Sequence, residues 1–145
     1  MTTYDTNPAD SLATASNAQY AALILRVTMG VFFLAHAWLK IAVFTPSGTA
    51  GYFASIGLPG FLAYLTIAAE LLGGLALIAG LWTRWVSLAL VPVLVGAAYF
   101  GHGAAGFFFS NPNGGWEFPA FWTVALIVQA LLGDGAYALG KGSAR

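Results

Sequence analysis

Four apolar stretches alternate with short polar or glycine-rich breaks along this chain. From Tyr20 to Phe44 the residues are apolar except for Arg26, Thr28, His36 and Lys40. At ~1.5 Å of rise per residue, roughly 20 helical residues cross the hydrocarbon core of a bilayer, so this stretch spans it with some tilt. Residues 45–60 (TPSGTAGYFASIGLPG) carry Pro46, Gly48, Gly51, Gly57, Pro59 and Gly60 and predict a loop, with room for one short interfacial helix around Tyr52–Ile56. A second span covers about 61–80 and ends at Gly80; Leu81–Thr83 then turn tightly into a third span, about 84–103. Pro92 should kink that third span and free the carbonyl of Leu88, which a helix bundle tolerates. Residues 104–115 form a Gly- and Asn-rich loop, and a fourth span runs from about 116 to 133, where Gly133-Asp134-Gly135 stops it. Residues 1–19 are polar and turn-prone, with Asp5 and Asp10 and no basic residue. They lack the positive start and apolar core of a signal peptide and read as a flexible leader. Residues 139–145 form a tail with Lys141 and Arg145. The predicted fold is all-α, an integral membrane bundle of four transmembrane helices, with the lipid bilayer as its first partner.

Composition agrees with that pattern. Of 145 residues, 59% are hydrophobic and 7% charged, and the mean hydropathy is +0.80. Soluble domains carry about 25% charged residues, so a soluble single-domain enzyme is excluded. The formal net charge is zero, which removes nucleic acid as a partner, since phosphate neutralisation needs clustered Lys and Arg. The chain has no cysteine, which excludes disulfide exchange, CxxC redox chemistry and thiolate metal sites carried by this chain itself. With four spans, the N-terminus, the 81–83 turn and the C-terminal tail share one side, together with Arg26, Arg84, Lys141 and Arg145; the other side has only Lys40. The positive-inside rule then places both termini in the cytoplasm of a bacterial cell and the two longer loops outside its inner membrane. Trp82 and Trp85 suit an inner aromatic belt, and Trp116 with Phe107–Phe109 an outer one.

A charge at the centre of a transmembrane helix costs about 2.5–3.5 kcal/mol on insertion scales, so the depth of each ionisable residue carries information. His36 and Glu70 should both sit roughly 12–14 Å below the outer boundary, with Lys40 one turn above His36 on the same face. His102 closes the third span and Glu117, beside Trp116, opens the fourth. Converging inward, these residues would make a polar pocket in the outer half of the bundle. One reading is a Lys40–Glu70 ion pair with His36 bridging, which only fixes helix register. Another is a site for a small polar or quinone-like headgroup; a third covers a proton relay, a metal or a haem. A bis-histidine haem on His36 and His102 is disfavoured, since their depths differ by roughly 10 Å. No HxxxH or HxH spacing supports a metal, so neither haem nor metal is expected. At the other end, Arg26, Arg84 and Asp134 are read as snorkelling anchors and structural ion pairs. Ala69, Gly73, Ala76 and Gly80 recur at helical spacing and predict a groove for close helix contact.

In this order the motifs resemble the DoxX family of small four-helix bacterial membrane proteins. The first span carries Arg26-Val27-Thr28-Met29-Gly30 and the His36…Lys40 pair, although Ala37 stands where the family often has glycine. Phe53…Gly57-Leu58-Pro59 follows, then Glu70-Leu71-Leu72-Gly73-Gly74 leading to Gly80-Leu81-Trp82-Thr83-Arg84. His102…Gly106-Phe107-Phe108 and Gly114-Gly115-Trp116-Glu117 complete the set, which covers roughly residues 22–138. The resemblance implies a membrane subunit associated with quinone-linked redox systems, such as the DoxD/DoxA thiosulfate:quinone oxidoreductase or complexes that deal with thiol and oxidative stress. A terminal quinol oxidase role does not follow, because haem–copper chemistry needs more histidines than this chain has.

Three functions follow as expectations. In an oxidoreductase subunit that binds a non-covalent quinone, His36 and Glu70 would exchange protons, and Lys40 would stabilise negative charge on a quinol or a small anion. Lys40, His102, Trp116 and Glu117 would line the binding site, and a redox partner subunit would be required. In a non-catalytic scaffold, the loops at 45–60 and 104–115 would dock a partner, or the bundle would form homo-oligomers. As a solute or proton conduit, four helices leave little lumen, so oligomers would again be needed.

Overall fold

A computed structural model describes residues 8–140. Asp5, Lys141 and Arg145 lie outside the described residues. Every regular element is helical: α1 (Pro8–Trp38), α2 (Pro46–Ser55), α3 (Phe61–Ala79), α4 (Thr83–Gly96) and α5 (Glu117–Leu132). α1 runs on into a π-helical turn, Leu39–Val43, and α4 into another, Ala97–Gly101, followed by a 3-10 turn at Gly103–Ala105. Residues 16–43, 61–79 and 83–101 are long and apolar enough to cross a membrane, and α5 is a shorter apolar helix.

Unlike that of a water-soluble protein, the outside of the bundle is as apolar as its core. Arg26, Thr49, Glu70, Thr83, Ser87 and Gln129 are buried, while Ile24, Leu72, Phe121 and Leu131 stand 65–74% exposed on its outer surface. Such a distribution is stable only where the surroundings are apolar and polar groups must find partners inside. The protein is a transmembrane four-helix bundle.

α1 packs mainly on α3, and α4 on α5, around a core of Met29, Phe33, Leu77, Leu90, Leu94, Trp122 and Leu126. Glycine sets the closest crossing. A Cβ on Gly30 would lie 2.8 Å from the Gly74 carbonyl oxygen, and one on Gly74 would lie 2.9 Å from that of Gly30, so α1 and α3 touch backbone to backbone. In the predicted small-residue stripe of α3, Gly73 receives the Leu90 side chain of α4, while its neighbour Gly74 makes the backbone crossing with α1.

Two boundaries differ from the sequence reading. α1 begins at Pro8 rather than near residue 20. Hydropathy reports which solvent a segment prefers, not whether it is helical, and proline suits the first turn of a helix. The short helix expected around Tyr52–Ile56 is longer and starts earlier, ten residues from Pro46 to Ser55. Thr45 caps it by accepting the Gly48 N–H at 3.1 Å, and Pro46 occupies the first helical position. The remaining spans end within two residues of their expected limits.

The chain ends α3 with Gly80 in the left-handed conformation (φ 70°), the usual glycine C-cap. Residues 134–140 fold back over this end. Ala136 N–H donates to Gln19, Leu139 N–H to Ala79 and Gly140 N–H to Gly80. Gln19, the α3–α4 turn and the returning tail therefore share one end of the bundle, called here the closed end.

Candidate functional site

The opposite end, called here the open end, holds unfilled space beneath α2. A cavity of about 950 Å³ is bordered there by α1, α2, α3, α4 with its π-turn, and α5. Its polar centre is the Lys40–Glu70 pair. Lys40 Nζ donates to both carboxylate oxygens, at 2.8 and 2.9 Å, and it is the one salt bridge among the described residues. Glu70 is only 4% exposed. It lies on the face of α3 that also buries Ala63, Ile67, Gly74 and Leu77, so helical periodicity aims the carboxylate at the bundle interior. Lys40 falls inside the first π-turn. Such turns are rare and often mark functional sites, and here one re-aims a lysine that a regular helix would place a fraction of a turn away.

His36 lines the cavity beside the pair but does not bridge it, contrary to one reading of the sequence. Its ring lies against Trp122, with centroids 5.3 Å apart, and it makes no hydrogen bond among the described residues. His102 also lines the cavity. Its Nδ1 contacts the carbonyl oxygens of Asn113 (3.2 Å) and Gly114 (3.0 Å). Two carbonyl acceptors require a donor between them, so Nδ1 carries a proton.

The other two proposed pocket residues are elsewhere. Glu117 accepts the Phe109 N–H at 2.6 Å and so pins the 104–115 loop to the start of α5. Trp116 packs its ring against Phe107 (4.8 Å) and borders a separate shallow groove between α4 and α5. Both were placed by their depth alone, which fixes no rotation about the helix axis. Further down α5, Phe118, Pro119 and Trp122 reach the cavity instead. The sequence signal for two of them was the buried stripe Pro119, Trp122, Leu126, Gln129 of α5. Thr66, Tyr52 and Thr49 add the remaining hydroxyls, and much of the rest of the wall is apolar. Among the described residues no group of three His, Asp or Glu side chains is placed to hold a metal ion.

At the closed end, the expected ion pairs of Arg26, Arg84 and Asp134 are absent. Arg26 is fully buried and donates to the backbone carbonyls of Leu77 and Ile78 at 2.9 Å and of Ala136 at 3.1 Å. A guanidinium offers five donors, and the last turn of a helix leaves carbonyls without partners. Arg26 therefore acts as a C-terminal cap for α3 rather than as a snorkelling anchor. Asp134 accepts the Thr83 N–H at 3.1 Å and caps the start of α4, while Arg84 is exposed.

The family model DoxX matches residues 21–103, more than half of the 145-residue chain. The chain belongs to the DoxX family. Over 75 residues it is 43% identical to "Putative oxidoreductase CatD" of Bacillus subtilis (strain 168), a match that covers 52% of this chain and 54% of that one. It thus spans about half the length of that relative. Over 121 residues it is 29% identical to "Inner membrane protein YqjF" of Escherichia coli (strain K12), covering 82% of this chain and 88% of the relative. No solved structure matches significantly. The DoxX match takes in His36, Lys40, Glu70 and His102 and stops short of Glu117 and Trp122.

Proposed function

We propose that this DoxX protein is the membrane subunit of a quinone-linked oxidoreductase and holds a quinone headgroup beside the Lys40–Glu70 pair. The observation that carries this reading is a cavity at membrane depth whose wall is mostly apolar and whose one charged feature is already neutralised. The Lys40–Glu70 pair carries no net charge to attract a small anion, so an uncharged, flat headgroup suits the site better than thiosulfate does. The carbonyl oxygens of such a headgroup can accept from Lys40 or from a ring N–H of His36. Conversion of a quinone to its quinol takes up two electrons and two protons. The electrons come from a partner redox subunit, and His36 and the Lys40–Glu70 pair are placed to relay the protons. The word "oxidoreductase" in the name of the CatD relative supports the same reaction class.

The "inner membrane" in the YqjF name supports a bacterial inner-membrane location. Of the described cations, exposed Arg84 marks the closed end, whereas Lys40 at the open end is paired. The termini are then cytoplasmic and the cavity lies in the outer half of the membrane.

Thermal unfolding in detergent with and without a short-chain benzoquinone tests this reading. Saturating ligand at about 100 times its dissociation constant should add ~2.7 kcal/mol of stability to the wild type. The double variant Lys40→Met/Glu70→Met, which removes the pair without orphaning either charge, should gain none. A wild type that gains nothing would refute the site.

A second reading, a docking scaffold, is favoured by the 104–115 loop. Phe107, Phe108 and Phe109 are exposed, yet the loop is held by Asn111 Nδ2 donating to Ala105, Trp116 N–H to Gly106 and the Glu117 contact. A rigid aromatic edge of this kind suits either the lipid interface or a partner chain.

A further inference from the structure

We infer that the cavity is entered sideways from the lipid, through a portal between α3 and α4, and that its occupant carries an apolar chain as well as a polar head. This rests on the headgroup reading above and adds the route and the second half of the ligand.

Three observations define the portal. The aqueous end is roofed: Thr49, Tyr52 and Phe53 of α2, with Ile56 just after it, line the cavity. The Thr49 hydroxyl holds α2 to the carbonyls of Lys40 and Thr45 at 3.3 and 2.9 Å. The roof reaches the far wall, since a Cβ on Gly101 at the end of α4 would lie 3.9 Å from the Tyr52 hydroxyl. Below that roof α3 and α4 separate. They leave a common turn, still touch at Gly73 and Leu90, and beyond that level both line the cavity, α3 with Thr66 and Ala69 and α4 with Val93 and Ala97. A Cβ on Gly96 would meet nothing within 4 Å, so this part of α4 borders open space. Finally, the sides of the gap face lipid. Leu65 is 59% exposed and Phe100 44%, and both also line the cavity.

The polarity gradient selects the occupant. Lys40, Glu70 and His36 lie at the inner end, and the way out past Leu65, Val93 and Phe100 is apolar apart from the Thr66 hydroxyl. A water-soluble metabolite would leave this channel unsatisfied and would have to cross lipid to reach it. A bilayer-dissolved molecule with a saturated or isoprenoid chain fits both halves, because its chain passes from lipid into an apolar channel without crossing water while its head reaches the polar centre. Chain-bearing quinones belong to that class.

The absence of native cysteines allows a clean test. Because Gly73 meets Leu90 and the two helices run in opposite directions, positions near 65–66 of α3 lie level with positions near 97–98 of α4. Leu65→Cys/Ala97→Cys protein in nanodiscs would be joined with a bifunctional maleimide and then given a long-chain quinone in donor vesicles. The uncrosslinked variant should take up the quinone, and the crosslinked one should take it up at least tenfold more slowly. Gly96→Trp, which places a large ring at a position lining the gap, should slow uptake likewise without a crosslink and lower the binding of the long-chain quinone more than that of a chainless one. Equal uptake with and without the crosslink would overturn the portal while leaving the headgroup site standing. Equal binding of chainless and long-chain quinones would overturn the chain. If the uncrosslinked protein takes up no quinone at all, both the portal and the proposed function fail.

Discussion

The two ends of the bundle each bury a positive charge, and they use it in opposite ways. At the closed end all the space around Arg26 is occupied. Its guanidinium donates to three carbonyls, and Gly80 lacks a side chain because Arg26 and Ala138 fill the place one would take. At the open end Lys40 is held by a carboxylate instead of by backbone, and the pair borders empty volume. A cation bound to carbonyls cannot be released without opening a helix end. A cation bound to a carboxylate beside a cavity can change partners when a ligand arrives. Burial of charge alone does not identify a site; burial next to unfilled space does.

That contrast can be attacked at several points. The largest effect is expected for Arg26→Ala, which orphans the Ile78 and Ala136 carbonyls at ~1–3 kcal/mol each and leaves a hole as well. Unfolding in detergent should show a loss of about 4 kcal/mol, while the folded fraction still binds quinone. Unaltered stability would mean that the cap is ornamental. Glu70→Ala comes next, at about 3 kcal/mol, because it strands Lys40, which keeps some contact with solvent, without a counter-charge. Adding Lys40→Met to Glu70→Ala should recover most of that stability but none of the quinone binding, so that stability and ligand part company only at the open end. Smaller still is a pair of glycine changes of opposite sign. Gly30→Ala forces apart the α1–α3 crossing and should cost ~1–3 kcal/mol. Gly96→Ala enters open space and should stabilise by ~0.5–1 kcal/mol through helix propensity. If both changes destabilise equally, α4 is packed as tightly at the cavity as α1 is at its crossing.

Much of the fold was legible because hydropathy runs and glycine breaks encode spans directly: Gly80 ends α3 and Gly133 ends α5 where their positions suggest. Two features left no such mark. The helical residues 8–19 are polar, so an apolar-run criterion passes over them. The π-turns at Leu39–Val43 and Ala97–Gly101 need one extra residue per turn, which no particular amino acid announces. Within the site, the cost of intramembrane charge pointed to Lys40 and Glu70, and depth matching brought in His36 and His102. It brought in Glu117 and Trp116 equally, because two residues at one level can face opposite ways. The reading of Arg26 failed for a different reason. A guanidinium can be satisfied by backbone carbonyls, and no acidic residue needs to be nearby to signal it.

The most direct measurement is the content of the cavity itself. Protein extracted from bacterial membranes into native nanodiscs without detergent would be washed, its lipids extracted, and quinone counted per chain against the Lys40→Met/Glu70→Met variant. The account predicts close to one quinone per wild-type chain and only the background of bulk lipid for the variant. Equal amounts in the two preparations would contradict it.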